Sequence, residues 1–341
     1  MHRKPCLAVF FLSILLTTGV CFAQTYTVTD LGTLGGNATI AHAINSLGQV
    51  TGSSNLSLSV AHAFLYQNGT ITDIGSLGGS SALGLGINAS GQVAGYSTQA
   101  DGSYRGFVFS NGTMTAIPPL SGDYGTAYGI NDFGQVIGNS VNSSGIPAGF
   151  VFSNGVLTDL GNLGGVDGTT ASAINNRGQI VGYSYNAHGD FLAFLWQNGH
   201  MSSLGTLGGP WSQAYAINNT GQVTGTSYLK GTLNGPHAFL FRNGKMTDLD
   251  KRTGQFQSWG FGINRTGVVV GRMQVTGGGG LLNFHAFALI NGKMTDLNQL
   301  IPAGSGWVLD EAYSINDAGQ IVGYGELNKQ TRGFLLTPVS R

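Results

Sequence analysis

The stretch Ala171 to Gly205, ASAINNRGQIVGYSYNAHGDFLAFLWQNGHMSSLG, decides the fold. Short alternating or apolar runs are separated in it by turn formers. Ala171 to Asn175 is one run, Asn175-Asn176-Arg177-Gly178 a turn, and Gln179 to Tyr183 the next run. A polar loop leads to Ala193 to Trp196, then to the pair Asn198-Gly199, then to His200 to Leu204. A period of two puts alternate side chains on one face, the mark of a half-buried strand. Asn-Gly between two such runs specifies a two-residue hairpin, because both residues tolerate the positive φ of its turn. We label the runs A, B, C and D.

The same pattern fills the chain. Ile-Asn recurs at Ile44, Ile87, Ile130, Ile174, Ile217, Ile263 and Ile315, at intervals of 43, 43, 44, 43, 46 and 52 residues. Periods of this size belong to propeller blades or solenoid units rather than to independent domains. Hairpin pairs of Asn followed by Gly return at Asn68, Asn111, Asn154, Asn198, Asn243 and Asn291. In every A run the residues one and three before the Ile are Ala, Gly or Ser. One face is therefore nearly bare, as an innermost strand requires where sheets converge on an axis.

The ends choose between a ring and an open array. The last unit has its A, B and C runs without a D, whereas Tyr26 to Gly32 reads as a D run with no C before it. The expectation is an all-β, seven-bladed β-propeller with four-stranded blades, its closing blade completed by the N-terminal strand. Such closure removes the unprotected edges that the alternative, an open β-solenoid, would have to cap.

Residues 1–23 read as a signal peptide. His2, Arg3 and Lys4 form a positive start, Cys6 to Val20 an apolar core, and Cys21-Phe22-Ala23 a small-residue cleavage site. Val20 before Cys21 argues against lipidation. Residues 24–341 then form a single propeller domain, and its residues include no cysteine, so disulfide and thiol chemistry are excluded. Without Arg3 and Lys4, 13 basic residues face 15 acidic ones, which offers nothing to a phosphate backbone and argues against nucleic acid. No second apolar stretch approaches the roughly 20 residues that span a bilayer.

His62-Ala63-Phe64-Leu65, His237-Ala238-Phe239-Leu240 and His285-Ala286-Phe287, with Thr-Asp-Leu-Gly-x-Leu-Gly-Gly at Thr29 to Gly36, resemble the HAF family of probable extracellular repeats. The resemblance covers Tyr26 to Pro338 and includes the Ile-Asn-x-x-Gly-Gln-Val-x-Gly run in the family's order. It implies an exported bacterial protein and carries over no catalytic residue. Arg105-Gly-Phe, Ala148-Gly-Phe, Leu192-Ala-Phe and Arg332-Gly-Phe depart from the tripeptide.

The HAF histidines invite a metal reading, so their partners matter. Across the C–D hairpin His62 is a diagonal neighbour of Asp73, His237 of Asp248 and His285 of Asp296; Arg332 would meet Asp30 in the closing blade. Arg105 faces Ala116 instead, and Asp159 faces Ala148. These read as structural pairs spread around a ring, whereas a metal needs ligands converging on one point. No metal and no cofactor is expected.

The short A–B and C–D turns share one face of the ring, and the variable B–C and D–A loops share the other. Loops on a rigid scaffold are where binding usually lives. Trp211, Trp259 and Trp307 fall in the D–A loops, with Tyr124 at the Trp211 position earlier in the chain, and these are the candidate ligand-binding residues, an aromatic platform suited to sugar rings. Tyr128, Tyr215, Phe261 and Tyr313 in the A runs read as core. Asp123, Asp167, Asp310 and Glu311 are the acidic groups on the variable face, but no nucleophile elbow, P-loop or zinc motif accompanies them, and no catalytic residue is assigned. The expected protein is a secreted, non-enzymatic monomer, extracellular or retained in the periplasm, that binds a glycan or cell-surface polymer through the variable face. An extracellular protein-interaction scaffold is the alternative, and a carbohydrate-active enzyme a more distant one.

Overall fold

The computed structural model describes residues 25–231, 235–252, 256–275 and 283–339, and the signal segment lies outside them. Among the described residues are 28 strands, β1 to β28 in chain order, and one short 3-10 turn at Leu297–Gln299. The stretch quoted first contains the end of β14 (Gly164–Ile174), then β15 (Ile180–Asn186), β16 (Phe191–Gln197) and β17 (His200–Gly205), paired in that order and antiparallel. This four-strand meander repeats around the chain. One set is β2 (Thr39–Ile44), β3 (Val50–Asn55), β4 (Ala61–Gln67) and β5 (Thr70–Gly75), tied to the next set by a single parallel bridge, Ala61 to Ser81. The last sheet runs β26 (Trp307–Ile315), β27 (Ile321–Leu327), β28 (Gln330–Pro338) and then β1 (Tyr26–Asp30), with Tyr26 opposite Pro338 and Asp30 opposite Phe334. The chain is an all-β propeller whose last sheet takes its outer strand from the N-terminal end.

The turns follow the residue chemistry. Asn68, Asn111, Asn154, Asn198, Asn243 and Asn291 all adopt φ of 50–53°, and the glycines after them φ of 73–82°, as the tight hairpin demands. The A–B asparagine does more. Asn175 Oδ1 accepts from the backbone N–H of Arg177 and Gln179, both at 3.0 Å, and Nδ2 donates to Gln179 Oε1 at 2.8 Å and to the carbonyl of Asn218, in the next unit, at 3.0 Å. Every hydrogen-bonding site of this buried amide is thereby used. The donation to the following asparagine recurs from Asn45, Asn88, Asn131, Asn218 and Asn316, the last reaching Asn45 at 3.0 Å across 271 residues. A belt of amides thus runs around the axis. The sixth unit departs: Val268 stands where the others have Gln, and Asn264 makes neither donation among the described residues.

Period two does not reveal what happens next to the axis. Every A strand carries a β-bulge between its two small residues, as between Ala41 and Ala43 or Ala312 and Ser314, so that the intervening residue has no partner in the ladder. The residues displaced in this way are His42, Leu85, Tyr128, Ser172, Tyr215, Phe261 and Tyr313, and all of them line the axial cavity. Reading Tyr128, Tyr215, Phe261 and Tyr313 as ordinary core is therefore corrected: a bulge re-aims side chains, and here it aims them at the axis. The inner-strand carbonyl is pushed outward in turn, and a Cβ on Gly52 would stand 1.9 Å from Ile40 O. That is why the B run keeps a glycine there.

The core lies between sheets. Phe64, Phe107, Phe150, Phe194, Phe239, Phe287 and Phe334 are fully buried, one per unit on its C strand. Phe107, for example, shares its cluster with Ala63 and Ile74 of the preceding unit. Burying such a side chain stabilises by about 1.5–3 kcal/mol, and the core requires neighbouring units to form together.

Asn175→Asp keeps the turn acceptors and loses both donations. We expect a loss of about 2–4 kcal/mol in urea unfolding at pH 7. The buried carboxylate regains a donor when protonated, so the deficit shrinks at pH 4; an undiminished deficit there would show that the amide donations are not the cause.

Candidate functional site

The aromatic residues read as D–A loop positions lie in inner strands. Tyr124 is within β10 (Ser121–Ile130), Trp211 within β18 (Gly208–Ile217) and Trp259 within β22 (Ser258–Ile263), and Trp307 begins β26. For Trp211 the cause is the Leu-Gly-Gly segment before it. Gly208 turns the chain at φ +97° and Gly209 presses against Tyr228, where a Cβ would come within 2.5 Å of backbone, so the strand starts earlier than alternation suggests. No ring contact joins any two of these four residues. Trp211 packs on Phe191 at 4.6 Å and Tyr228 at 3.8 Å, Tyr124 on Tyr104 at 6.4 Å, and Trp307 meets Phe334 edge-on at 6.2 Å. Trp259 differs, because a cation lies on it.

That cation is Arg272, on β23 (Val269–Val275), whose guanidinium lies 4.2 Å from the Trp259 ring centre and 5.0 Å from that of Phe284 on β24 (Asn283–Ile290). Its Nη1 donates to the buried carboxylate of Glu311, on β26 of the closing sheet. Arg272 Nε is buried and has no partner among the described residues. A pocket of about 450 Å³ opens beside this pair, lined by Arg272, Asn283, Phe284, His285, Val308, Asp310, Glu311 and Tyr324. Asn283, Phe284 and His285 open β24 and Val308 lies at the start of β26, whereas Arg272 and Tyr324 are mid-strand; together they form the seam between the sixth and closing sheets. A second register shift, between Leu309 and Glu311, displaces Asp310 from the ladder.

Burial raises the Asp310 carboxyl to about 6, with His285 opposing the rise and Glu326 and Glu311 adding to it. No hydrogen bond or ion pair reaches Asp310 among the described residues. Burial, then the Glu311 charge, pushes the Tyr324 hydroxyl up to about 12 and Tyr313 higher still. His285 is held above the usual imidazole range by Asp296, with Nδ1 to Oδ2 at 2.7 Å. The walls are aromatic and charged, and most of the charge is internally neutralised.

The remaining repeat pairs fall where the hairpin puts them. His62 Nδ1 is 2.9 Å from Asp73, His237 3.1 Å from Asp248, and Arg332 3.7 Å from Asp30. Burial opposes protonation of His237, but the bond and charge of Asp248 outweigh it. Each Asp also accepts from the backbone N–H two residues on, including the unpaired Asp159, which accepts from Gly161 N–H at 2.8 Å. Ending the D strand is its constant task. Arg105, which has no acid across its hairpin, reaches Asp123 Oδ1 instead, 3.4 Å away on the next unit. No group of three metal-ligating side chains occurs among the described residues.

The axial cavity, about 360 Å³, is more self-contained. His42, Tyr313, Phe261 and Tyr215 make a continuous arc with ring centres 5.2–5.4 Å apart. Below it the amide belt and contacts such as Asp132 N–H to Asn176 Oδ1 at 3.0 Å use up the polar rim. Burial drives His42 down to about 4, and its Nε2 is unpartnered among the described residues. No signal in a single unit points to the Arg272 pocket. Comparing units does, since Arg272 replaces Ser53, Tyr96, Asn139, Tyr183, Thr226 and Tyr324 at one position of the repeat.

No protein-family model and no curated protein matches the chain. Solved propellers do. The β-propeller domain of the trilobed protease from Pyrococcus furiosus, described as having an open velcro topology, is similar with a TM-score of 0.53 at 9% identity, over 93% of this chain and 98% of that one. Puromycin hydrolase complexed with PGG gives 0.53 at 13% identity, over 85% of this chain and 50% of that one. TolB from Acinetobacter baumannii gives 0.47 at 14% identity, over 61% and 52%. The chain spans about half the length of TolB and of the hydrolase. At such identities the likeness concerns the fold alone. No helix among the described residues is long and apolar enough to cross a membrane.

A carboxyl whose folded pKa is raised stabilises the fold when protonated and loses that contribution as pH rises through about 6. Asp310→Asn should therefore unfold later than the parent at pH 7.5, by about 1–2 kcal/mol once partial solvent access is allowed for. The two should coincide near pH 3.5. Thermal melts at both values test this, and an equal gap at both would exclude Asp310 titration as its source.

Proposed function

We propose that this chain is a secreted, non-enzymatic propeller that binds a glycan or cell-surface polymer through its variable loop face. The reading takes export from residues 1–23 and from the resemblance to HAF repeats. The observation that carries it is the seam pocket: ring faces at Phe284 and Tyr324 stand beside Asn283, His285 and a partner-free Asp310 in one cavity. Glycans are recognised by such a combination, apolar sugar faces on rings and hydroxyls on polar groups left unsatisfied by the protein. The binding residues we assign are these, with Trp259 behind Arg272, in place of a platform shared with Tyr124, Trp211 and Trp307.

Binding is preferred to catalysis for a chemical reason. Glycosidase chemistry needs two free carboxyls flanking the scissile bond. Of the two carboxyls that line the pocket only Asp310 is free, because Glu311 is committed to Arg272. A protein-interaction scaffold is the second reading, favoured by Leu58 and Val166, which stand 93% and 79% exposed on the same loop face.

A glycan and polysaccharide panel read by tryptophan fluorescence tests the proposal, since Trp259 reports on Arg272 and the pocket. Saturable binding is expected, weakened about tenfold or more (about 1.4 kcal/mol) by Phe284→Ala and changed less than about twofold by Trp211→Ala. Binding that Phe284→Ala leaves intact would move the site elsewhere, and no binding on the panel would favour the scaffold.

A further inference from the structure

We infer that the seam pocket selects glycans bearing free amines, an ammonium seating against Asp310. This rests on the glycan reading above and specifies its ligand class. Charge decides it. On β23, Arg272 is spent on Glu311 of β26, and on β24, His285 is spent on Asp296. Asp310, also on β26, and Glu326, on β27, keep no ion-pair partner among the described residues. The charged groups lining the pocket are thus largely neutralised in pairs, leaving the Asp310 carboxylate over, with only the charge of His285 acting against it and the exposed Glu326 adding to it. An acidic sugar would be repelled, and a neutral one would leave that charge half-buried and uncompensated. An ammonium supplies both the hydrogen-bond donor and the charge, and charge-assisted bonds are roughly twice as strong as neutral ones.

The walls agree with a cation. Phe284 already presents a ring to the guanidinium of Arg272, and the Tyr324 ring borders the same space. Ring faces attract ammonium groups as they do guanidinium. A lysine side chain would bring the same charge on an aliphatic stem. It would leave the Asn283 amide without a partner, whereas the hydroxyls of an amino sugar can meet it. Bulging of the strand at Asp310 has a use on this reading: it turns the one lining carboxylate without an ion-pair partner into the cavity.

The test compares an oligoglucosamine, its fully N-acetylated counterpart and a lysine oligomer as ligands for the purified protein, by calorimetry. At pH 7 the amine oligosaccharide should bind at least about tenfold more tightly than the acetylated one. Asp310→Asn, which keeps shape and removes charge, should bring the two within about threefold, while Phe284→Ala weakens both. Binding to the parent should be bell-shaped in pH. It falls on the acid side as Asp310 is protonated, by about tenfold per unit once well below its transition, and on the alkaline side as the amine loses its proton. Asp310→Asn should lack the acid limb.

The inference is overturned if the acetylated oligomer binds as tightly, if Asp310→Asn keeps the preference, or if the lysine oligomer binds more tightly than the sugar. Failure of both oligosaccharides to bind also overturns it. Binding of another glycan from the wider panel would then show that the broader reading survives without the amine.

Discussion

The amide of one asparagine per unit is the contact on which the ring depends. It closes its own A–B turn through Oδ1 and grips the next unit through Nδ2. A side chain that only made the turn could be Asp, and one that only bridged could be longer. Doing both from a buried site leaves Asn as the residue with two acceptor and two donor positions on a short stem. In six of the seven units the next sheet is thus held at the axis by the same group that fixes the hairpin. Local and global structure are written in one residue, which is the kind of agreement between levels that makes a sequence fold uniquely.

Around that belt the repeat is strict where backbone is crowded and loose where it is not. The bulge forces a small residue on either side of it and a glycine on the facing strand, and it frees the residue between. His42, Leu85, Ser172 and Phe261 can therefore occupy equivalent places. The seam between the sixth and closing sheets is where strictness fails most. The interval there is 52 residues, Val268 has replaced the bracing Gln, and a pair of half-buried Arg272 with buried Glu311 stands where other units have neutral side chains. Removing either partner of such a pair leaves a buried charge, so the seam spends stability that the regular seams keep. Departures of this sort are expected at functional sites.

Strand order, the hairpin turns, the N-terminal closing strand and the His–Asp neighbours were all legible in the sequence, because each depends on local spacing: Asn-Gly, an eleven-residue offset, a D run without its C. What could not be read depends on backbone displacement or on neighbours across units. Alternation placed Tyr128 and Tyr215 in the core because it assumes an unbroken pleat, and the bulge breaks it. Trp211 looked like a loop residue because Gly208-Gly209 reads as a turn, although those glycines let the strand continue against Tyr228. Arg272 and Glu311 are 39 residues apart and meet only once the ring exists. A pocket shared by two units has no signature within one.

The pairing of β1 with β28 carries a kinetic consequence. Tyr26 lies opposite Pro338, so the outer strand of the last sheet precedes all the other described strands in the chain and its partner follows them. Neighbouring units bury their phenylalanines by local contacts and can assemble in sequence, whereas this sheet must wait for the whole chain. The entropy of closing such a long loop grows only slowly with length, so the ring is not costly to close, but this is the most non-local strand pairing among the described residues and a slow kind of contact to form. Until it forms, β28 presents an unpaired edge made of Gly333, Phe334, Leu335 and Leu336. An edge of that composition is open to the β1 of a second chain, against which its own β1 has the advantage of being tethered. Slow closure at high concentration therefore leads toward exchanged rings, and dilution toward monomers.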